Sequence, residues 1–261
     1  MSDRRQRQKE QRAAKREAER KKESRRELGR RLITALVFGL IVVGIFALSG
    51  LFEGDSADLP ASYEGFRDQP TACDAEAPPP QQASSYPEPE DQGITESDTV
   101  TATIATSCGD IVLDLNTEGA PATVNSFVFL AEQGFYDGQV FYRITDDFVI
   151  EAGDPAANAT GGPGYVVPDE YPEEGFVYEE GVVLMANRGA RSTGSIFRIV
   201  VGDDGRFLAN QFNVLGTITS GQEALEQMSA IETATAPGTV EQSLPLETVY
   251  IDTVTIERAG S

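Results

Sequence analysis

The stretch TVTATIATSCGDIVLDL, Thr99 to Leu115, decides how the chain is read. It splits at Ser107–Gly109 into two runs, TVTATIAT and GDIVLDL, the second carrying Ile111, Val112, Leu113 and Leu115. Such runs around a short polar break predict two strands joined by a turn. Immediately downstream, APATVNSFVFLAEQGFY changes period. Pro121 falls at a first helical position, Val124, Phe127, Val128 and Ala131 recur at helical spacing, and Gly134 stops the run, so a helix is predicted.

Further along, GVVLMAN, IFRIVV and NVLGTIT read as strands, and GQEALEQMSAI as a second helix. The last strand lies in ETVYIDTVTIE. There Val249 and Ile251 alternate, and Val254 and Ile256 resume after one extra residue, which predicts a bulge near Asp252. Strands outnumber helices and a strand closes the chain. The order fits a mainly β fold, a β-barrel with two covering helices, over residues 99–261.

Upstream the composition changes twice. Residues 1–31 hold 14 of the 21 Lys and Arg and 6 of the 42 acidic residues, so this head is near +8 and the remainder near −29. The seven later cations are all arginines. Between the two regimes LITALVFGLIVVGIFALSGLF, residues 32–52, carries no charge. At about 1.5 Å per residue a helix of that length spans a bilayer core of about 30 Å, so a single transmembrane helix is predicted rather than a cleaved signal. Basic flanks stay inside, which puts the N-terminus in the cytoplasm and the rest of a plasma-membrane protein outside. Residues 53–98, with DAEAPPPQQASSYPEPEDQG, are acidic and proline-rich, and read as an extended stalk with too little apolar material for a core.

The chain has two cysteines, Cys73 and Cys108, and no histidine. An oxidising compartment permits a disulfide between them, with two free thiols as the alternative. The absence of histidine removes Ser-His-Asp and Cys-His catalysis and the usual zinc sites, so no metal and no cofactor are expected. The acidic surface argues against nucleic-acid partners. TGGPGY lacks the lysine of a phosphate loop, and GDDG at 202–205 reads as a turn rather than a calcium site.

One further stretch, GQVFYRITDDFVIEAGDP from Gly138 to Pro155, reads as two short strands around a Thr-Asp-Asp turn. Alternation places Val140, Tyr142 and Ile144 on one face and Phe141 with Arg143 on the other. An arginine among large apolar groups on a strand has a task or a partner.

With this stretch, the pieces GDIVLDL, APATVNSFVFLAEQGFYDG, FYRI, FVIEAGDP, TGGPGY, VVLMANRGARSTGSIF, VLGTITSG and the final strand resemble, in order and spacing, the cyclophilin family of peptidyl-prolyl cis-trans isomerases. The resemblance covers Thr99 to Ala259. It implies an eight-stranded antiparallel barrel capped by two helices, with proline-containing polypeptides as partners and the active site on the outer surface. Arg143 stands where the family has its catalytic arginine. Phe148, Met185 and Leu208 stand where it builds the walls of a proline pocket, Ala186 and Asn187 where main-chain contacts to the substrate are made, and Phe207 where many members have tryptophan.

Four positions depart from the family pattern. Glu151 and Ile196 replace glutamines, Arg198 replaces a phenylalanine at the pocket floor, and Phe212 replaces a common histidine. Glu151 is expected to pair with Arg143 and compete with substrate for it. Arg198 requires a partner, because an unpaired charge in an apolar pocket is costly. Three functions therefore stand side by side: an anchored isomerase for exported or cell-envelope proteins, a catalytically weak or inactive peptide-binding module on the same fold, and an assembly or scaffold protein.

Overall fold

In the computed structural model of the chain the described residues are 59–82 and 84–259. The basic head and the apolar run 32–52 lie outside them, and no described helix is long and apolar enough to cross a membrane. The first elements are α1 (Tyr63–Arg67), β1 (Thr99–Thr106), β2 (Gly109–Leu115) and α2 (Pro121–Glu132). Next come β3 (Arg143–Ile144), β4 (Val149–Ala152), β5 (Val182–Met185), β6 (Phe197–Val200) and β7 (Val214–Ser220). The last are α3 (Gln222–Ser229), β8 (Thr233–Thr235), β9 (Gln242–Pro245) and β10 (Ile251–Ala259).

The opening stretch forms the predicted strand pair, in register from Thr101 opposite Asp114 to Thr106 opposite Gly109. Alternation sorts its side chains, so Val100, Ala102 and Ile104 of β1 and Ile111, Leu113 and Leu115 of β2 are buried. On its other side β1 pairs with β10. There Ala105 faces Thr253 and Thr106 faces Ile251, so Asp252 is skipped, which is the predicted bulge.

Eight strands join in one antiparallel sheet in the order β10-β1-β2-β7-β5-β6-β4-β3. The sheet curls until its edges approach one another. Val140, just before β3, bridges to Tyr250, just before β10, and the Phe141 amide donates to the Val249 carbonyl at 2.9 Å. Ile104, Ile111, Leu113, Phe141 and Phe197 pack inside this curl with the stripe of α2. All four stripe residues, Val124, Phe127, Val128 and Ala131, are buried as the period predicts. The α2 N-terminus is held from a distance, where the Glu170 carboxylate accepts from the Ala122 and Thr123 amides at 2.9 and 2.8 Å.

Two features depart from the sequence reading. The alternation around Arg143 breaks, because Phe141 and Ile144 both enter the main core while Val140 and Tyr142 enter a second cluster with Tyr63, Phe66, Leu244 and Tyr250. β3 is accordingly only two residues long. The larger difference concerns residues 59–98, read as a stalk, which lie along the domain as a strap. Phe66 is fully buried, the Tyr63 hydroxyl donates to the Gly138 carbonyl at 2.9 Å, and Tyr86 stacks edge-on against Phe129 of α2 with centroids 5.1 Å apart. Cys73 and Cys108 form a disulfide with Cα atoms 5.2 Å apart.

Gly138 has φ +74, and a Cβ there would stand 2.6 Å from the Pro79 carbonyl oxygen, so only glycine admits the strap. The segment lacks enough apolar residues for a core of its own, but three aromatic side chains spaced along it suffice to enter another core.

Candidate active site

Register alone assembles the centre of the site. On three neighbouring strands Arg143 of β3 faces Glu151 of β4, and Glu151 faces Arg198 of β6. Side chains directly opposite on one sheet face lie about 5 Å apart at Cβ, so an Arg-Glu-Arg row results. Glu151 is nearly buried, with 3 % of its side chain exposed, against 20 % for Arg143 and 22 % for Arg198.

The carboxylate of Glu151 is spent mainly on two groups. It accepts from Arg198 Nε and from the Tyr142 hydroxyl. Arg143 Nη1 is 3.5 Å away, an ion pair beyond good hydrogen-bond length. Glu151 therefore pairs with Arg143 as expected, but as a weaker partner than Arg198 and Tyr142. Burial, and then the charge of Glu151, push the Tyr142 phenol far above its ordinary value, so it stays a neutral donor.

Arg143 is held instead by Glu241, which accepts from Nε at 2.9 Å and from Nη2 at 2.6 Å. Burial pulls the guanidinium down, but the Glu241 hydrogen bond and the charges of Glu151 and Glu241 outweigh it and leave it above its ordinary value. The hydrogen bond from Arg143 holds Glu241 below the usual carboxylate range. Its contribution is therefore present at neutral pH and is lost as pH falls through that lowered value.

Glu241 escaped the sequence reading. It lies 98 residues from Arg143 in a hairpin, β8–β9, that falls between the second helix and the last strand, where no quoted piece of the resemblance lies. That gap was the available signal.

The other expected site residues separate into groups. Phe148, Leu208 and Phe212 meet in one apolar cluster with Val149, Tyr178 and Leu184, and the Arg143 guanidinium carbon is 5.7 Å from the Phe148 ring centroid. Arg198 lies over Phe212 at 5.6 Å, so the charge at the pocket floor is both paired and stacked on a ring. Met185 is 2 % exposed in the main core and does not join that cluster. Phe207 is 80 % exposed and turns its ring to solvent. Ile196 packs toward the second cluster. Ala186 and Asn187 line a shallow pocket of about 80 Å³ with Glu151, Arg188, Ile196 and Arg198. The Asn187 amide donates to the Gln211 carbonyl at 2.6 Å, which ties that strand end to the loop before β7.

Glu151→Gln is expected to destabilise the fold by about 2 kcal/mol, since Arg198 loses its charged partner at a nearly buried position. A urea titration checks this. An unchanged midpoint would show that solvent carries Arg198.

No group of His, Cys, Asp or Glu able to hold a metal occurs among the described residues. The centre of the site is a guanidinium standing beside the apolar cluster of Phe148, Leu208 and Phe212. Comparison with known proteins agrees. The profile described as "Cyclophilin type peptidyl-prolyl cis-trans isomerase/CLD" matches residues 101–256. Peptidyl-prolyl cis-trans isomerase B of Streptomyces anulatus is 37 % identical over 172 residues, 60 % of this chain and 95 % of that protein. The probable isomerase B of Mycobacterium tuberculosis (strain ATCC 25618 / H37Rv) is 34 % identical over 177 residues, 62 % of this chain and 56 % of that protein.

Among solved structures, a Cryptosporidium parvum cyclophilin-type isomerase shares the fold with a TM-score of 0.55 at 23 % identity, covering 62 % of this chain and 99 % of that one. The chain therefore belongs to the cyclophilin-type peptidyl-prolyl cis-trans isomerase family.

Proposed function

We propose that this isomerase is anchored in the plasma membrane by residues 32–52 and acts outside the cytoplasm on exported or cell-envelope polypeptides. The observation that carries the catalytic part is the Arg143 guanidinium over the Phe148 ring, beside the apolar cluster of Leu208 and Phe212. Rotation about an X-Pro bond faces a barrier of about 20 kcal/mol because amide resonance must be broken. In the twisted state the prolyl nitrogen regains a lone pair and the amide loses its planarity. Guanidinium N–H groups directed at that nitrogen and at the prolyl carbonyl oxygen bind the twisted form better than the planar one. No nucleophile or proton shuttle takes part, which suits a chain without histidine.

The apolar cluster takes the proline ring, and the main chain at Ala186 and Asn187 takes the residues before it. A structure of the Cryptosporidium parvum relative was obtained in the presence of the dipeptide Ala-Pro, in keeping with a short proline-containing ligand. The disulfide supports an oxidising location, and the basic block before residues 32–52 supports a cytoplasmic N-terminus.

The test of activity is prolyl isomerisation by the full-length protein in detergent, where turnover above the uncatalysed rate is expected and its absence would favour the binding module. For topology, protease added to intact cells is expected to remove the domain and leave a small membrane-bound N-terminal fragment. Recovery of a soluble mature form lacking residues 32–52 would overturn the anchor.

A further inference from the structure

Arginine owes its usefulness at such a site to a planar fork of five N–H donors, yet the same side chain carries about 2 kcal/mol of rotamer entropy that an unrestrained fork would keep. Arg143 sits on a strand of two residues at the end of the sheet order, where the backbone does little to restrain it. Restraint comes from three directions. Glu241 closes the Nε–Nη2 edge with two hydrogen bonds, the Phe148 ring lies 5.7 Å from the guanidinium carbon, and Glu151 stands 3.5 Å from Nη1. Because Nε is committed, the plane of the fork is set. Nη1 donates no hydrogen bond among the described residues and meets Glu151 only as a 3.5 Å ion pair, so the Nη1–Nη2 edge keeps open donors.

The carboxylate that does this is itself well founded. The Glu241 amide donates to the Thr239 hydroxyl at 3.1 Å, and its carbonyl accepts from the Ala236 amide at 3.0 Å, which closes the hairpin end. Two residues on, Ser243 and Leu244 are buried, and Leu244 packs in the second cluster with Tyr63, Phe66 and Tyr142. Tyr142 directly precedes Arg143, so the hairpin and the arginine share one footing. Glu151 serves Arg198 and Tyr142 and reaches Arg143 only through the 3.5 Å ion pair at Nη1, so it does not hold Nε.

We propose that Glu241 is a positioning residue for the isomerase reaction, fixing the Arg143 fork over the pocket wall with its Nη1–Nη2 edge free for the twisted prolyl group. The inference rests on the isomerase reading given above. Misorientation of a catalytic group by about 1 Å lowers rates up to 10²-fold, and a fork that keeps one of its two tethers loses less. Glu241→Gln in the full-length protein is therefore expected to lower kcat/KM for a proline peptide about tenfold, with the loss in kcat and KM little changed. In an Arg143→Ala background the same substitution is expected to leave the residual rate unaltered, a coupling that a merely structural role would not produce. The Arg143 Nε–H proton, followed by ¹H–¹⁵N correlation, is expected to exchange faster with solvent in Glu241→Gln, while the thermal midpoint barely moves.

An active wild type with unchanged kcat/KM in Glu241→Gln overturns the proposal, and so does an equal loss in both backgrounds. A rise in turnover overturns it too, and makes Glu241 a competitor of the substrate. A wild type without turnover overturns the isomerase reading and this inference with it.

Discussion

Arg143→Ala is expected to lower isomerase kcat/KM roughly 10²-fold or more, on the order of 3 kcal/mol of transition-state stabilisation. The fold is expected to bear the change. Removal of the guanidinium frees Glu241, whose side chain is 39 % exposed and can be hydrated, while Glu151 keeps Arg198 and Tyr142. Arg143→Lys is not expected to rescue turnover, because an ammonium is a point charge that cannot grip Glu241 along one edge and present a second edge to the peptide. Turnover measured on a proline peptide beside a urea titration separates catalysis from stability. Near-wild-type turnover in Arg143→Ala would remove the arginine from the mechanism and leave the apolar cluster as a binding pocket alone.

The second large effect belongs to the disulfide. Cys73 and Cys108 are 35 residues apart, and cross-linking a loop of that length removes unfolded-chain entropy equivalent to about 3–4 kcal/mol. Reduction, or replacement of both cysteines by serine, is expected to lower the unfolding free energy by about that amount, read as a shift of the urea midpoint. The oxidised protein is expected to show no free thiol when unfolded, and two after reduction. If the double serine variant keeps its midpoint, burial of Phe66 and the stacking of Tyr86 on Phe129 hold the strap without help.

Much of the architecture was legible because it is written locally. The strand pair at Thr99–Leu115 and the stripe of α2 follow from period, and the bulge at Asp252 follows from one residue too many between Ile251 and Val254. What was not legible depends on distance along the chain. Proline and acid content correctly excluded a separate core for residues 59–98, but composition cannot show that Tyr63, Phe66 and Tyr86 find room in the core of the domain. The same limit applies to the site. Arg143, Glu151 and Arg198 come together through strand register, whereas Glu241 reaches Arg143 across 98 residues. With 42 acidic residues in the chain, charge alone could not single it out. The break in alternation comes after Tyr142: Val140 and Tyr142 face the second apolar cluster that the strap supplies, whereas Ile144 turns into the main core beside Phe141.

The strap also imposes an order of events on the newly made chain. Phe66 is synthesised early, yet its carbonyl accepts from the Thr248 hydroxyl 182 residues later, and its cluster is completed by Leu244 and Tyr250. Pairings of such separation are slow to form, because a long loop must close before any contact rewards it. As the chain emerges N-terminus first, an aromatic-bearing segment therefore waits, undocked, until nearly the whole domain has followed it. Cys108 arrives far sooner than Thr248, so oxidation with Cys73 can moor the waiting segment beside the β1–β2 turn while the rest is still being made. The isomerase domain thus completes its own fold only when the strap around Phe66 meets the chain around Thr248.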